Sequence, residues 1–522
     1  MDQTLDVIER WSEGRINSKK FNKVFQVDGI PIWHLLEPLV KSAHIPRPFR
    51  SLPEIERGAK AGTVPSSFKR LQFMILRKGL AINERIKRWI SKMRRKDLQR
   101  IGKADVLFIA YTNQIFETDG GVEFLGFGDV AKDLKERGAE PLVLICDSFS
   151  KNSLFGLRKF DNLLYSHIDL EIIEESEKQS RRLAREWKKL EKERLFMFQG
   201  KSYWRFVKNE MNFLFSPEVL STLIKYYLTF KEIIQKHEVK LVYLTGLIGF
   251  YESSLLVATH KFNKKVVYSP HGYGGYTVPL YFEKKLLENV LFIASGGEEK
   301  EKLRRLGIKA KKVFLAGSPF FDKIAEYKSE KEKEKTEKTV TLLTTALVEY
   351  KFVEKNEYFD YIRKYLKQIS KVKKVKRIVI KLHPNEKYKS DYESIVKSLK
   401  LTNVEIVQRL EKGFLYSVLR DSDLLISFGS TADIEGMMLG KDVIVIEGFI
   451  GGMYRKDPYK KALIQIEKGD DLTSVVNKIL WDKSERDKMR KKREEYIKRA
   501  FYKIDGRAHE RVADLIVNLT RK

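Results

Sequence analysis

DLLISFGSTADIEGMMLGKDVIVIEG, residues Asp423–Gly448, decides how the rest of the chain is read. Leu424–Ser427 is a short apolar run of the kind buried on both faces in a parallel sheet, and DVIVIEG (Asp442–Gly448) is a second one. Between them Gly429, Ser430 and Thr431 lead into a helix over Ala432–Leu439. Hydroxyls and backbone N–H groups therefore converge at a helix N-terminus that follows a strand, which is an anion site or, more simply, a capped helix start.

The same strand–helix alternation extends outward in both directions. Ahead of it lie TVTLLTTAL (Thr339–Leu347), a helix near Tyr358–Ile369, RIVIKLHP (Arg377–Pro384) and VEIVQ (Val404–Gln408). Further back come ADVLFIAYT (Ala104–Thr112), PLVLICD (Pro141–Asp147), KLVYLTG (Lys240–Gly246), KVVYSPHGYGG (Lys265–Gly275), VLFIASG (Val290–Gly296) and VFLAGSP (Val313–Pro319). Strands alternating with helices make parallel, doubly wound sheets. The tract KSEKEKEKTEK (Lys328–Lys338) has no apolar residue and divides the two series.

The expected fold class is α/β, with two Rossmann-like doubly wound domains facing a cleft, a helical insertion and a basic N-terminal extension. The expected boundaries are 1–103 for the extension, 104–325 for the first domain with its insertion at about 169–238, 326–483 for the second domain, and 484–522 for helices packing back across the lobes. A chain of 522 residues, 43% hydrophobic and 33% charged, has enough apolar surface for two cores.

A single cysteine, Cys146, excludes a disulfide framework, and the polar N-terminus MDQTLDVIERWSEG has no apolar core of a secretion signal. No apolar run reaches the length of a membrane span, so a cytoplasmic protein is expected. The formal charge of +30 calls for an anionic partner. Much of it is concentrated in Phe68–Lys103, where thirteen cations face Glu84 and Asp97 and the apolar residues fall at helical spacing. Such a segment can lie on an anionic membrane surface at the inner face of the cell membrane, or simply pack on the domain with its cations solvated. Neither a known RNA- or DNA-binding pattern nor a zinc pattern is present, and no nucleic acid is expected as a partner.

Ligands of open α/β sheets sit at the carboxyl ends of strands. His271 follows VVYS and is succeeded by Gly272, Gly274 and Gly275, glycines that let a ligand approach the backbone. His383 follows RIVI, and Pro384 biases it toward extended backbone. An imidazole there could bind a phosphate or stabilise a nucleotide leaving group. Glu435 lies one turn beyond Thr431 on the same helical face and could take ribose hydroxyls while the N-terminus holds phosphate. The loop Thr112–Gly121 carries Glu117 and Asp119, with Glu123 just beyond; one of these carboxylates or His271 could deprotonate an acceptor hydroxyl.

Together, HG after a first-lobe strand, HP after a second-lobe strand, and SDLLIS followed by GSTADIEGMMLGKDVIVI resemble the capsule and cell-wall polymerases of GT-B fold. These comprise CDP-glycerol glycerophosphotransferases, polysialyltransferases and Kdo-type capsule transferases. The resemblance implies a glycosyltransferase that moves a sugar from a CMP- or UDP-linked donor to a surface polysaccharide or lipid-linked glycan, with inversion. It implies His271 as a cleft histidine near the reacting centre, with Gly272, Gly274 and Gly275 on the acceptor side. It also implies His383 with Pro384 at the donor phosphate, Ser427, Gly429, Ser430 and Thr431 around it, and Glu435 on the ribose. Neither metal nor cofactor is expected, the nucleotide-sugar being a co-substrate. UDP-GlcNAc 2-epimerases share the HP and the glycine-serine-glutamate helix, so an epimerase-like enzyme or a CDP-glycerol-type phosphotransferase stands as the alternative. A basic nucleic-acid binder is the non-enzyme alternative.

Overall fold

The computed structural model describes residues 15–16, 19–36, 102–110, 114–118, 121–145, 163–165, 169–198, 201–202, 204–247, 250–272, 284–328, 336–349, 352–409, 412–449 and 462–521. Two parallel sheets organise them, as the alternating pattern predicts.

The first lobe holds seven strands: β1 (Val106–Ala110), β2 (Pro141–Ile145), β3 (Leu163–Tyr165), β4 (Leu241–Leu244), β5 (Lys265–Tyr268), β6 (Val290–Ala294) and β7 (Val313–Leu315). They lie in the order β7-β6-β5-β4-β1-β2-β3, every pair parallel. The central strands β1 and β4, VLFIA and LVYL, are buried at every position. Helices cover both faces, which is why these strands read as unbroken apolar runs rather than alternating ones. β3 has no counterpart in the sequence reading: it is a three-residue edge strand, too short to register as a periodic run.

Between β3 and β4 the chain makes a helical excursion that includes α2 (Leu170–Lys189) and α3 (Pro217–Lys236), while α1 (Gly128–Glu136) precedes β2 and α4 (Phe250–Lys261) follows β4. α3 packs on both α2 and α4. Its start is defined by Ser216 followed by Pro217, a residue whose fixed φ suits the first helical position. The Trp187 ring of α2 stacks on Phe215 at 4.1 Å, and Phe25 meets both of them edge-on. Phe21, Phe25 and Trp33, all within residues 19–36, thus belong to the first-lobe core. Arg182 donates to the Gln26 carbonyl at 2.7 Å and Tyr227 to Asp28 at 3.0 Å, holding the segment in place.

The second lobe has six strands: β8 (Lys338–Leu343), β9 (Val375–Lys381), β10 (Val404–Val407), β11 (Leu424–Ser427), β12 (Asp442–Glu447) and β13 (Ile464–Glu467). Their order is β10-β9-β8-β11-β12-β13, again all parallel. Counted from β8 this is 3-2-1-4-5-6, the order of dinucleotide-binding sheets. β13 is also absent from the sequence reading, because IQIE alternates and presents two exposed residues at the sheet edge. The helices are α6 (Lys355–Ile369), α7 (Lys389–Ser398), α8 (Lys412–Asp421), α9 (Thr431–Met438) and α10 (Leu472–Trp481). Tyr358, Phe359, Tyr392, Phe428 and Phe449 fill the core beneath the carboxyl ends of the strands.

Each sheet reverses its winding once, between β1 and β4 and between β8 and β11. A nine-residue 3₁₀ segment, Pro319–Tyr327, links the lobes, and α11 (Lys483–Ala500) and α12 (Ala508–Thr520) return across them. α11 packs on α9, α10 and β12 of the second lobe and on α5 (Gly297–Arg305) of the first, whereas α12 packs on α1 and β4. Asp322 of the linker ties this return: it accepts from the backbone amides of Ala508 (3.0 Å) and His509 (2.7 Å) and from the His509 ring at 2.8 Å. At the crossing, Gly296 has no room for a side chain, since a Cβ would lie 1.7 Å from the Ala500 carbonyl oxygen. Two facing doubly wound sheets joined in this way are the GT-B type of architecture. Among the described residues no helix is long and apolar enough to cross a membrane.

Candidate functional site

The second-lobe switch point brings three strand ends together. β8 lies between β9 and β11, so Thr344 and Thr345 sit between His383 on one side and Gly429–Thr431 on the other. Adjacent strands are about 4.8 Å apart, which puts the outer two roughly 10 Å from each other.

His383 is held by its own turn. Its backbone N–H donates to Glu386 Oε2 at 2.8 Å and to Thr344 Oγ1 at 3.0 Å, and Gln408 donates to the His383 and Glu386 carbonyls at 3.3 and 2.8 Å. The ring Nδ1 accepts from the Asn385 amide at 3.1 Å. An N–H can only donate, so Nδ1 carries the lone pair and, in the neutral ring, Nε2 carries the proton. Burial, aided by the nearby Lys381 ammonium, pushes the imidazole down to about 4. His383 is therefore a neutral N–H donor at physiological pH and not a cation.

On the other side, Gly429 adopts φ +90°, which only glycine takes without strain. Ser427 is fully buried beneath the turn, and its hydroxyl accepts from the Gly429 amide at 3.2 Å. Ser430 caps α9: its hydroxyl accepts from Ala432 N at 3.0 Å, and Asp433 in turn accepts from Ser430 N at 2.8 Å. This reciprocal capping box uses part of the donor set at the helix N-terminus. Thr431 is partly exposed, whereas Glu435 is 1% exposed and accepts from Tyr416 of α8 at 3.2 Å. The fully buried Asp433 carboxyl is pushed up to about 6 by desolvation, against the Ser427 hydroxyl and the Ser430 amide.

In the first lobe His271 follows β5. Its ring Nδ1 lies 2.9 Å from the Thr245 carbonyl oxygen, and its backbone N–H donates to the same oxygen at 3.0 Å. A carbonyl can only accept, so Nδ1 carries the proton and the lone pair of the neutral ring is on Nε2. The ring is exposed. Gly272 follows with φ +82°, and a Cβ there would lie 3.0 Å from Thr431 Oγ1. The His271 loop and the N-terminus of α9 thus meet across the lobes, with Gly272 against Thr431. The two histidines present opposite tautomers, a lone pair on His271 Nε2 and an N–H on His383 Nε2.

Most of the remaining expected residues lie outside the described ones. Glu117 lies in a hairpin, Ile115–Thr118 paired with Gly121–Phe124, and its side chain is outside the described residues. Asp119, Gly274, Gly275 and the expected basic helix up to residue 101 also lie outside them. Glu123 is ion-paired to Lys323 of the linker. Sequence reasoning passed over Thr344, Glu386, Tyr392, Gln408 and Asp433. Two left a signal: Asp433 is the third helical residue after a serine cap, and Glu386 stands three residues after His383. The others come from separate elements and meet only in the fold.

The model of the UDP-N-acetylglucosamine 2-epimerase family matches residues 289–517, less than half of the chain. The match takes in β6, β7, the whole second sheet and most of the returning helices. Among solved structures, a putative UDP-N-acetylglucosamine 2-epimerase from Listeria monocytogenes aligns at 13% identity over 80% of this chain and 96% of that one, with a TM-score of 0.49. The UDP-GlcNAc 2-epimerase from Neisseria meningitidis bound to UDP-GlcNAc aligns at 13% identity over 79% and 100%, with a TM-score of 0.47. A glycosyltransferase from Rickettsia africae aligns at 15% over 80% and 99%, with a TM-score of 0.44. No curated protein matches significantly.

Proposed function

We propose that this chain is a nucleotide-sugar enzyme that breaks the bond between the anomeric carbon and the diphosphate of a UDP-linked sugar, in the manner of a UDP-GlcNAc 2-epimerase. The observation that carries the proposal is the epimerase-family match, which spans the entire second sheet and with it His383, Gly429, Ser430, Thr431 and Glu435. The neutral Nε2–H of His383 and the N-terminus of α9 stabilise the diphosphate as negative charge develops on it. Glu435, buried behind them, serves the ribose side. Inverting C2 of such a sugar cannot begin with simple loss of the C2 proton, since no carbonyl stabilises the carbanion. It proceeds when a base takes the C2 hydrogen, the electron pair forms a C1–C2 double bond, and the C1–O pair departs with UDP. Return of UDP to C1 and of a proton to the opposite face of C2 completes a reaction with no net change in composition.

A second use of the same bond cleavage is transfer to an acceptor hydroxyl. It is favoured by the Nε2 lone pair of His271, an exposed residue, and by the large helical addition to the first lobe, which suit an acceptor larger than water. There His271 takes the acceptor proton and UDP is released. The basic segment 68–103 would then bring the enzyme to a membrane carrying a lipid-linked acceptor.

Incubation with UDP-GlcNAc in D₂O separates the two uses. UDP-ManNAc carrying deuterium at C2 is the result expected of the epimerase, and free UDP appearing only with a glycan acceptor is that expected of the transferase. Unchanged nucleotide-sugar across UDP-, CMP- and CDP-linked donors, with no thermal stabilisation by any of them, would sink both.

A further inference from the structure

Behind His383 stands a buried carboxylate that neither of these reactions employs. Glu386 is 6% exposed, and every bond it makes has a direction. Oε2 accepts from the His383 amide at 2.8 Å and from the Thr344 hydroxyl. Oε1 accepts from the Tyr392 hydroxyl at 2.6 Å. Since Tyr392 spends its proton on Glu386, Tyr358, 3.1 Å away, donates to Tyr392. The hydrogen-bond chain from Tyr358 through Tyr392 to the accepting Glu386 runs from α6 through α7 to the turn that carries the histidine.

We propose that Glu386 is the positioning residue of the diphosphate site: its carboxylate, fed by the Tyr358–Tyr392 hydroxyl pair, locks the His383 turn so that Nε2–H is presented to the diphosphate of a UDP-sugar. The proposal rests on the nucleotide-sugar function above and deepens it. Three donors converge on two oxygens, which is a match for an ionised carboxyl and a mismatch for a protonated one. A neutral Glu386 would bring its own O–H against one of those donors and release either the His383 amide or the tyrosine pair. The groups facing it are His383 at the end of β9, Thr344 and Glu349 after β8, Tyr392 on α7 and Tyr358 on α6. Burial raises its pKa, opposed by the Thr344 and Tyr392 hydroxyls and the His383 amide. The ionised form is thus held by these donors and is sensitive to the loss of any one.

The test is calorimetric titration of the full chain with UDP-GlcNAc, whose phosphates do not titrate near neutrality, across pH 5 to 8. Expected for Glu386→Gln is a folded protein whose affinity falls about tenfold, the amide being unable to accept all three donors. Expected for Tyr392→Phe is an acid limb of binding moved to higher pH, because one stabilising donor is gone. The ring nitrogens of His383, followed by ¹⁵N NMR, should show one tautomer in the wild type and exchange between two in the variants. A cap that only shapes the turn would move neither the acid limb nor the tautomer. If Glu386→Gln does not fold, Tyr392→Phe alone decides. Wild type that binds, with His383→Ala weakened and both variants equal to wild type at every pH, overturns the assignment and leaves the nucleotide site standing. Wild type that binds no UDP-GlcNAc at any pH overturns the nucleotide-sugar function and this assignment with it.

Discussion

His383 should refuse a proton down to about pH 4, and that refusal should be measurable as stability. The unfolded chain holds the ordinary histidine value of 6.5, whereas the folded one titrates at about 4, because the ring is desolvated and Lys381 adds its charge. Between those two values the unfolded state binds more protons, so folding stability must fall as pH drops from about 6.5 to about 4. The gap corresponds to about 3 kcal/mol when fully developed. The substitution that isolates it is His383→Asn, whose side-chain oxygen can still accept from the Asn385 amide that now bonds Nδ1 at 3.1 Å. Urea denaturation at pH 7, 5.5 and 4.5 should show wild type losing stability relative to the asparagine variant as pH falls, with the difference approaching about 3 kcal/mol. Parallel pH dependences would mean that the histidine titrates normally, and the neutral donor on which the diphosphate site depends would be lost.

Gly296→Ala should be severely destabilising or block folding, because its Cβ has no place beside the Ala500 carbonyl 1.7 Å away. Thermal melts should show α11 loosened before the sheets, and an unchanged melt would contradict the tight crossing. Asp433→Asn should stabilise the protein above pH 6 and not below pH 4. The folded carboxyl is raised from 3.8 to about 6, so ionising it opposes folding, by at most about 3 kcal/mol. Equal stability of the two proteins at pH 7.5 would speak against that burial penalty. His509 is raised by its bond to Asp322, so its contribution is present below pH 6.5 and lost as pH rises through the folded value. Asp322→Asn should therefore weaken the protein more at pH 6 than at pH 9, and the reverse order would remove the clasp.

Much of the architecture is written in the apolar runs. VLFIA, LVYL and LLIS are apolar but for the Tyr243 hydroxyl and the buried Ser427, and strands of that kind belong inside parallel sheets. The edge strand Ile464–Glu467 lacks this mark because its alternating residues leave two positions exposed, and Leu163–Tyr165 is too short to stand out as a run. At the site, strand-end position alone singled out His271, His383 and the serine-threonine turn. It could not tell a cation from a neutral donor at His383, because the answer depends on the Asn385 amide and on burial among residues from other elements. Nor could it find Thr344 and Gln408, whose bonds to the same turn cross 39 and 25 residues of chain.

The most direct measurement is a crystal structure of the chain soaked with UDP. The diphosphate should lie at the carboxyl ends of β8, β9 and β11, with one phosphate oxygen within hydrogen-bond distance of His383 Nε2 and another at the Thr431 end of α9. Density for UDP elsewhere on the molecule, or His383 turned away from a bound diphosphate, would contradict the account.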